Sequence, residues 1–348
     1  MKAFNFTRGM VTLQQIASAA GYSLATTSYA LRNDQRIHPE TRSRIHAVAA
    51  RLGYRPNPSF SALMAHVRQG RSIEAGDRIA FIWVRTNKEE SSRNRLLREV
   101  YEGARQRAEA LGYRLEQFWA EEDGMSGRRL SEILRSRGIV GVLLSPVMGE
   151  GQVSLDLEWE HFSPAVIGSA AWSPELHHAG HYHYLAMRMA LSKLAEAGYR
   201  RPMAVVNEMV NERAHRSWQA AFLVYHPAAE SAGDFFVLES ADRKMSLASR
   251  LKKLKPDVLI VSDASVLARL EKSMKGSVGL PVATLHWVPE RPDLMGVDQS
   301  YDSIAANAVE IVATQLKLNQ LGIPALPRML LFPGTWREIS SGAARSDQ

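Results

Sequence analysis

The fold of the N-terminal part is decided by residues 11–32, which read Val11-Thr-Leu-Gln-Gln-Ile-Ala-Ser-Ala-Ala-Gly-Tyr-Ser-Leu-Ala-Thr-Thr-Ser-Tyr-Ala-Leu-Arg32. Thr12 is a natural N-cap, and apolar residues follow it at helical spacing until Gly21 ends the helix. Ser23 can cap a second short helix. Two short helices joined by a turn at Gly21 and Tyr22 predict a helix-turn-helix.

A third helix is predicted after a polar loop. Pro39 and Glu40 are typical of a first helical turn, and Gly53 ends the apolar pattern that follows. We therefore expect an all-α headpiece over residues 11–57, preceded by an N-terminal arm at 1–10. Residues 58–76 are expected to form the connection to the rest of the chain.

These residues resemble the DNA-binding headpiece of the LacI/GalR family of bacterial transcription regulators. The resemblance covers about fifty residues and keeps every spacing. It implies that the second helix enters the major groove of double-stranded operator DNA. It also implies a hinge helix within residues 58–76, whose Leu63 wedges into the minor groove or packs against a partner hinge. The matching residues are Val11-Thr-Leu, Ile16-Ala, Ala20-Gly, Ser23-Leu-Ala-Thr-Thr-Ser, Ala30-Leu, Pro39-Glu-Thr-Arg and Leu52-Gly-Tyr-Arg-Pro-Asn-Pro58.

The resemblance also assigns DNA contacts to single side chains. Leu24 and Ala25 begin the second helix, and as apolar residues they can contact a thymine methyl but cannot form a bidentate hydrogen bond. The family usually has an arginine where this chain has Tyr29, which can reach a phosphate or a base edge, or pack in the headpiece core. The expected DNA-binding residues are Thr12, Ser23, Leu24, Ala25, Thr26, Ser28, Tyr29, Arg32 and Leu63.

The basic charge of the chain is concentrated in the same segment. Residues 1–72 contain ten Lys or Arg and two Asp or Glu, whereas the whole chain has a net charge of +7. A compact basic segment on a nearly neutral body is typical of a protein that binds a polyanion. A solvated basic face is the alternative interpretation.

Composition excludes several other classes of protein. Of the 348 residues, 45% are hydrophobic and 23% charged, as in a globular protein with about two domains. There is no cysteine and no apolar run near the roughly 20 residues that span a bilayer. The N-terminus lacks the apolar region of a signal peptide, so we expect a cytoplasmic protein without membrane contact. Without a Walker loop, a dinucleotide fingerprint or a nucleophile elbow, we predict neither an enzyme nor a cofactor.

From Asp77 onward the pattern changes to an α/β alternation of buried strands and helices. It predicts two doubly wound parallel-sheet lobes. The resemblance implies the same body, a periplasmic-binding-protein-like type I domain that binds a small-molecule effector and forms a homodimer. We expect this domain at 77–340, with the first lobe at about 77–168 plus 298–325 and the second at about 169–297 plus 326–340. Ligands in such folds lie at the carboxyl ends of the strands, so the cleft between the lobes is the expected site.

Side chains at strand ends are the candidates for effector binding. Family members often read Gly-aromatic-Asp after one of these strands, and the aspartate holds the ligand, whereas this chain reads Leu285-His-Trp287. The missing carboxylate indicates either a ligand unlike a typical sugar or a cleft that has lost its ligand. Core packing for the tryptophans and plain surface charge for the arginines are the alternatives. The expected effector-binding residues are Trp83, Arg213, Arg216, Asp263, His286 and Trp287.

Four histidines lie close together, at positions 177, 178, 181 and 183. Metal binding is one interpretation. Without cysteine, and with Glu175 as the nearest carboxylate, a loop or a dimer surface is favoured and no metal is predicted.

The sequence therefore predicts a DNA-binding transcriptional repressor. It is expected to bind a near-palindromic operator as a homodimer and to respond to a small molecule, such as a carbohydrate, in the cleft. A constitutive repressor with a degenerate cleft is the alternative. A small-molecule-binding protein or an enzyme with the same body fold is a third possibility.

Overall fold

The computed structural model describes residues 11–31, 34, 36–54, 78–148, 151–226, 235–238, 244–274, 276 and 278–339. The chain divides into two compact units. One contains Met1–Ala75 together with Thr314–Gln320, and the other contains Gly76–Ala313 and Leu321–Gln348. We call the described part of residues 1–75 the headpiece and the second unit the body.

The headpiece contains three helices, α1 (Leu13–Ala20), α2 (Leu24–Leu31) and α3 (Pro39–Leu52). A capping box starts α1: the backbone N–H of Thr12 donates to Oε1 of Gln15 at 2.8 Å, and the Thr12 hydroxyl accepts from the Gln15 N–H. Gly21 ends α1 with a φ of +76°, which favours glycine. The helices enclose a small core that includes Ile16, Ala30 and Ile45.

The first lobe of the body is built on a parallel six-stranded sheet with the order β13-β7-β5-β3-β1-β2. Its central strands are buried along nearly their whole length, because helices cover both faces of such a sheet. The strands β4 and β6 form a separate two-stranded sheet. The elements are β1 (Arg78–Trp83), α4 (Lys88–Arg93), α5 (Arg95–Ala110), β2 (Arg114–Trp119), α6 (Gly127–Ser136), β3 (Gly141–Leu144), β4 (Val153–Ser154), a 3₁₀ turn (Trp159–His161), β5 (Ser163–Ile167), β6 (Trp172–Ser173), β7 (His177–His181) and β13 (Met329–Phe332).

The second lobe has a six-stranded sheet with the order β14-β12-β11-β10-β8-β9. Its neighbours are parallel except β14, which pairs antiparallel with β12. The elements are α7 (His183–Glu196), β8 (Pro202–Asn207), α8 (Glu208–Arg213), α9 (Ser217–Tyr225), β9 (Phe235–Leu238), α10 (Lys244–Leu254), β10 (Val258–Val261), α11 (Ala264–Met274), β11 (Val282–Thr284), β12 (Met295–Asp298) and β14 (Thr335–Arg337). The helix α12 (Tyr301–Leu318) returns to the first lobe, where it packs against α5 and Glu310 pairs with Arg107 at 2.6 Å.

The expected fold class is confirmed, but the expected lobe boundaries are wrong at two places. The strands β7 and β13 both lie in the first sheet, whereas the sequence pattern placed residues 169–297 and 326–340 in the second lobe. Arg213 ends α8, and residues 215 and 216 have φ values of 50° and 54°, so the chain turns before α9 begins.

Candidate nucleic-acid interface and ligand cleft

The first turn of α2 is the most exposed apolar surface of the headpiece helices. The Leu24 side chain is 49% exposed, and Ala25 is exposed beside it. Thr27 and Ala30, on the opposite side of α2, are buried against the other helices. This part of α2 therefore has an exposed face that can approach a DNA groove, and the side chains of Leu24 and Ala25 on it are apolar.

Hydroxyl groups surround the start of α2. The Ser23 hydroxyl accepts a hydrogen bond from the Thr26 N–H at 3.0 Å, and the two hydroxyls are 2.8 Å apart. Thr12 has the same capping position on α1, and Ser28 is half-buried in the middle of α2. Helix starts of this kind offer backbone N–H groups and hydroxyls to phosphate oxygens.

Tyr29 is half-buried, and its ring is covered by a cation. The Arg36 guanidinium carbon lies 4.6 Å from the centre of the ring, and Arg36 also forms an ion pair with Asp34 at 2.7 Å. Arg36 was not among the expected DNA-binding residues. A basic residue in the loop directly after the second helix was the available signal. Arg32 and Leu63, the other two expected contacts, lie outside the described residues, as do the expected arm and hinge.

A cavity of about 550 Å³ lies between the two lobes of the body. Its walls are formed by residues that follow the carboxyl ends of β3, β5, β7, β8, β10, β11 and β12, where ligands of doubly wound sheets bind. Its volume falls within the range of small-molecule sites. We call this cavity the cleft. Its polar and aromatic walls include Ser169, His181, His183, Asn207, Arg213, Trp218, Ser262, Asp263, His286, Gln299 and Tyr301.

Arg213 extends across the cleft from the second lobe to the first. Its Nη1 donates to the backbone oxygens of Met148, at 2.7 Å, and Val147, at 3.5 Å. Burial lowers the pKa of this guanidinium, although the nearby Tyr301 and Asp263 act in the opposite direction. Arg213 therefore links the lobes through carbonyl groups alone, with no ion pair to a carboxylate in the part of the chain that the structure describes.

Asp263 lines the cleft, but its oxygens are already engaged in the start of α11. Oδ1 accepts from the Ser265 N–H at 2.9 Å, from the Ser265 hydroxyl and from the Val266 N–H. Oδ2 accepts from the Ser262 hydroxyl at 2.9 Å. The carboxylate thus stabilises the first turn of its own helix.

Three imidazoles line the cleft, from His181, His183 and His286. The rings of His181 and His183 are 5.0 Å apart, edge to face, and His183 contacts the Trp218 ring at 4.9 Å in the same geometry. His286 lies against Tyr301, with 5.4 Å between ring centres. Burial lowers the pKa of all three and brings that of His183 to about 4. Burial also raises the pKa of Tyr301 to about 12.

The structure does not bring three of the expected effector residues to the cleft. Trp83 is fully buried under α5, where its Nε1 donates to Gln117 at 2.8 Å. Arg216 points to solvent and pairs with Glu212. Trp287 lines a separate cavity of about 430 Å³, and its indole donates to the Leu294 carbonyl. Arg213, Asp263 and His286 are the expected residues that do line the cleft.

The loop or dimer surface expected for the histidine cluster is wrong. His177, His178 and His181 are buried in β7, between β5 and β13. Two of these rings form hydrogen bonds with the backbone of neighbouring segments: the Arg328 N–H donates to Nδ1 of His177 at 2.9 Å, and Nδ1 of His178 lies 3.3 Å from the Gly168 oxygen. Among the described residues no group of three or more His, Cys, Asp or Glu is arranged to hold a metal ion. No helix in the same part of the chain is long and apolar enough to cross a membrane.

The similarity to known proteins in sequence is confined to the N-terminal part of the chain, whereas the similarity in fold extends over most of it. Residues 12–57 match the family described as bacterial regulatory proteins, lacI family. The chain is 40% identical over 58 residues to the HTH-type transcriptional regulator GalS of Salmonella typhimurium, covering 17% of each chain. It is 46% identical over 64 residues to the ribose operon repressor of Bacillus subtilis, covering 18% of this chain and 19% of the relative. These matches thus span about a fifth of the curated relatives, which are regulators rather than enzymes, in agreement with the prediction.

Solved structures resemble the chain over most of its length. The transcriptional regulator CelR in complex with cellobiose superposes with a TM-score of 0.54 at 15% identity, over 94% of this chain and 98% of that one. The lac repressor dimer bound to operator superposes with a TM-score of 0.51 at 15% identity, over 95% of this chain and 98% of that one. At this identity the likeness concerns the fold. Residues 12–57 therefore match the lacI family of bacterial regulatory proteins, and the chain has the fold of the CelR and lac repressor structures over most of its length.

Proposed function

We propose that the chain is a sequence-specific transcriptional repressor that binds a near-palindromic DNA operator as a homodimer in the cytoplasm. The observation that carries this proposal is the exposed, apolar first turn of α2 within residues 1–72, a segment with ten Lys or Arg and two Asp or Glu. In a helix-turn-helix protein that turn contacts base edges, and basic and hydroxyl groups around it contact phosphates. Its likeness to the headpieces of named repressors supports the same function.

Base specificity in this proposal depends on Leu24 and Ala25, and register depends on hydroxyls. Leu24 and Ala25 contact thymine methyl groups, while Thr12, Ser23, Thr26 and Ser28 bind phosphates. Tyr29 and Arg36 act as a pair, because a cation over the ring restrains both side chains near the surface of α2. Arg32 and Leu63 complete the proposed contacts, with Leu63 as the minor-groove wedge of a hinge at residues 58–76.

We propose that a small-molecule effector, a carbohydrate in the simplest case, binds the cleft and changes the affinity for DNA. Arg213 crosses from α8 to carbonyl oxygens of the first lobe, so a ligand that competes for its guanidinium alters the contact between the lobes. A ligand shifts the equilibrium between two lobe arrangements only if it binds one of them better. Sugar-bound neighbours such as the CelR complex with cellobiose support this class of ligand.

The alternative is a repressor that binds DNA without an effector. Two features favour it: the sequence Leu285-His-Trp287 carries no carboxylate, and both Arg213 and Asp263 already have hydrogen-bond partners in the protein. In that case the cleft is a structural remnant, and the lobes serve for dimerisation.

Selection from a random DNA library, at near-physiological salt, tests base reading by α2. The wild-type protein should enrich a near-palindrome, and Ala25→Gln should change the preferred base at one symmetric pair of positions, because glutamine can read adenine through two hydrogen bonds. Ala50→Gln, at an exposed position on α3, is the matched control and should enrich the wild-type site. If wild type and Ala25→Gln enrich the same site, α2 does not read bases through this residue.

Effector binding is tested on the selected DNA. Cellobiose, glucose and other sugars are added to the protein–DNA complex, and the apparent Kd is measured by fluorescence anisotropy. An effector should change the affinity of wild type and of Arg216→Gln, whose side chain points away from the cleft, but not that of Arg213→Gln. Unchanged affinity throughout, with intact DNA binding, would favour the constitutive repressor.

A further inference from the structure

The walls of the cleft contain more groups that can carry positive charge than groups that can carry negative charge. In the described residues that line it, Arg213 is the one guanidinium, Asp263 the one carboxylate, and three histidines stand with them. The Asp263 carboxylate already accepts four hydrogen bonds from Ser262, Ser265 and Val266. Arg213 is satisfied by carbonyl oxygens alone. The guanidinium is therefore the better placed of the two charges to take an oppositely charged ligand.

Hydrogen-bonding atoms without a partner line the same cleft as Arg213. Nδ1 of His183 and Nε1 of Trp218 are both buried and have no partner among the described residues, and the two rings are in contact at 4.9 Å. An indole N–H only donates, and an imidazole donates from both nitrogens once it is protonated. Oε1 of Gln299 is a third such atom and needs a donor. These atoms fit a ligand that combines an acidic group with a hydroxyl.

We propose, on the basis of the effector cleft proposed above, that its ligand is a small hydroxylated acid, and that binding of the acidic group between Arg213 and His183 is coupled to uptake of a proton by the histidines of the cleft. A carboxylate, phosphate or sulfate group of the ligand would give the Arg213 guanidinium an anionic partner in addition to the neutral carbonyl oxygens that it now contacts. The same charge favours the imidazolium form of the adjacent rings, so proton and anion bind more tightly together than separately.

The surroundings of the histidines determine the direction of this coupling. In the absence of an anion, burial lowers the pKa of His181, His183 and His286, so they are neutral at pH 7. Cations oppose their protonation as well, while two carboxylates near His286 favour it. A bound anion acts against both burial and the cations. The charged or titratable groups that face the three rings are Arg95, Arg213, His215, Asp263, Asp298 and Tyr301, together with the other two histidines in the case of His181.

The test uses the full chain without DNA and inorganic sulfate as the probe. The histidine ring signals are followed by NMR from pH 5 to 8, in sodium sulfate and in sodium chloride of equal ionic strength. We expect sulfate to raise the pKa of His183 from about 4 by about two units, which by reciprocity lowers the Kd of sulfate about tenfold between pH 8 and pH 5. Arg213→Gln should abolish both effects, Arg213→Lys should keep part of them, and Arg216→Gln should keep them fully.

Two results would overturn the inference. One is an identical His183 titration in sulfate and chloride. The other is sulfate binding that does not change with pH or that persists in Arg213→Gln.

A third arm of the experiment distinguishes this inference from the proposed function. Glucose and gluconate form a matched neutral and acidic pair, and pH-independent binding of glucose in the cleft with no preference for gluconate would overturn the acidic ligand while leaving the effector cleft and DNA binding intact.

Discussion

Replacement of His183 by glutamine should weaken the pH dependence of the stability of the body. The ring lies between His181 and Trp218, and burial lowers its pKa from 6.5 to about 4. Between these two pH values the unfolded chain binds a proton that the folded chain does not. Stability therefore falls as the pH is lowered from about 6.5 towards 4, and the neutral ring contributes its full stabilisation only above that window.

The size of the effect follows from the shift. A difference of about 2.5 pKa units corresponds to about 3 kcal/mol in total, at 1.36 kcal/mol per unit. Between pH 7 and pH 5 roughly 2 kcal/mol of this is lost, because the folded ring is still mostly neutral at pH 5. Glutamine removes the titrating group, so the loss of stability over this interval should be about 2 kcal/mol smaller in His183→Gln than in wild type.

Urea denaturation at pH 7 and pH 5 in chloride buffers measures the free energy of unfolding at each pH. The quantity compared is the difference between the two pH values, so a general destabilisation of the variant cancels. His161→Gln, whose side chain is 40% exposed on the 3₁₀ turn, is the control and should keep the wild-type difference. Equal pH dependence in wild type and His183→Gln would refute the idea that this imidazole is held neutral in the cleft.

Three further experiments test other parts of the structure. Thr12→Ala removes the capping box of α1 and should lower headpiece stability by about 1 kcal/mol, measured by thermal denaturation followed by circular dichroism. Gly103→Ala should destabilise the body by several kcal/mol, because a Cβ there would overlap the backbone at the start of α12; Gly276→Ala, where the Cβ would meet open space, should be nearly neutral in the same urea titration. Arg95 and Glu290 form an ion pair between the lobes with Glu290 largely exposed, so a double-mutant cycle should give a coupling of less than about 1 kcal/mol.

Local features of the sequence were sufficient to predict the helices of the headpiece. Thr12, Gly21 and Gly53 mark helix ends through their own side chains or their own φ angles, and the structure places helix boundaries at these residues. The order of strands and helices in the body was predictable for the same reason, because alternation is a local property of the sequence.

Pairing between distant segments was not predictable. In the first sheet β7 pairs with β5, and β13 pairs with β7 at the edge, but nothing in residues 177–181 or 329–332 alone indicates which sheet these strands enter. Histidines at positions 177 and 181 are four apart, a spacing that fits one face of a strand as well as one turn of a helix. Burial in β7 was therefore missed.

Which residues line the cleft could be predicted only in part. Arg213, Asp263 and His286 were found because each follows a strand, whereas Trp83 also ends a strand but faces the interior under α5. Side chains alternate between the faces of a strand, and the sequence of a strand that is buried on both faces does not indicate which face borders the site.

The most direct test of the central claim is a comparison of specific and non-specific DNA binding by the intact protein. The palindrome enriched by selection and a shuffled duplex of the same composition are titrated at near-physiological salt and at two higher salt concentrations. We predict at least a thousandfold tighter binding to the palindrome, as expected for a specific regulator, and a loss of that preference when one half-site is scrambled. Equal affinity for both duplexes, falling steeply with salt, would mean that the headpiece only attracts phosphates and would contradict the account.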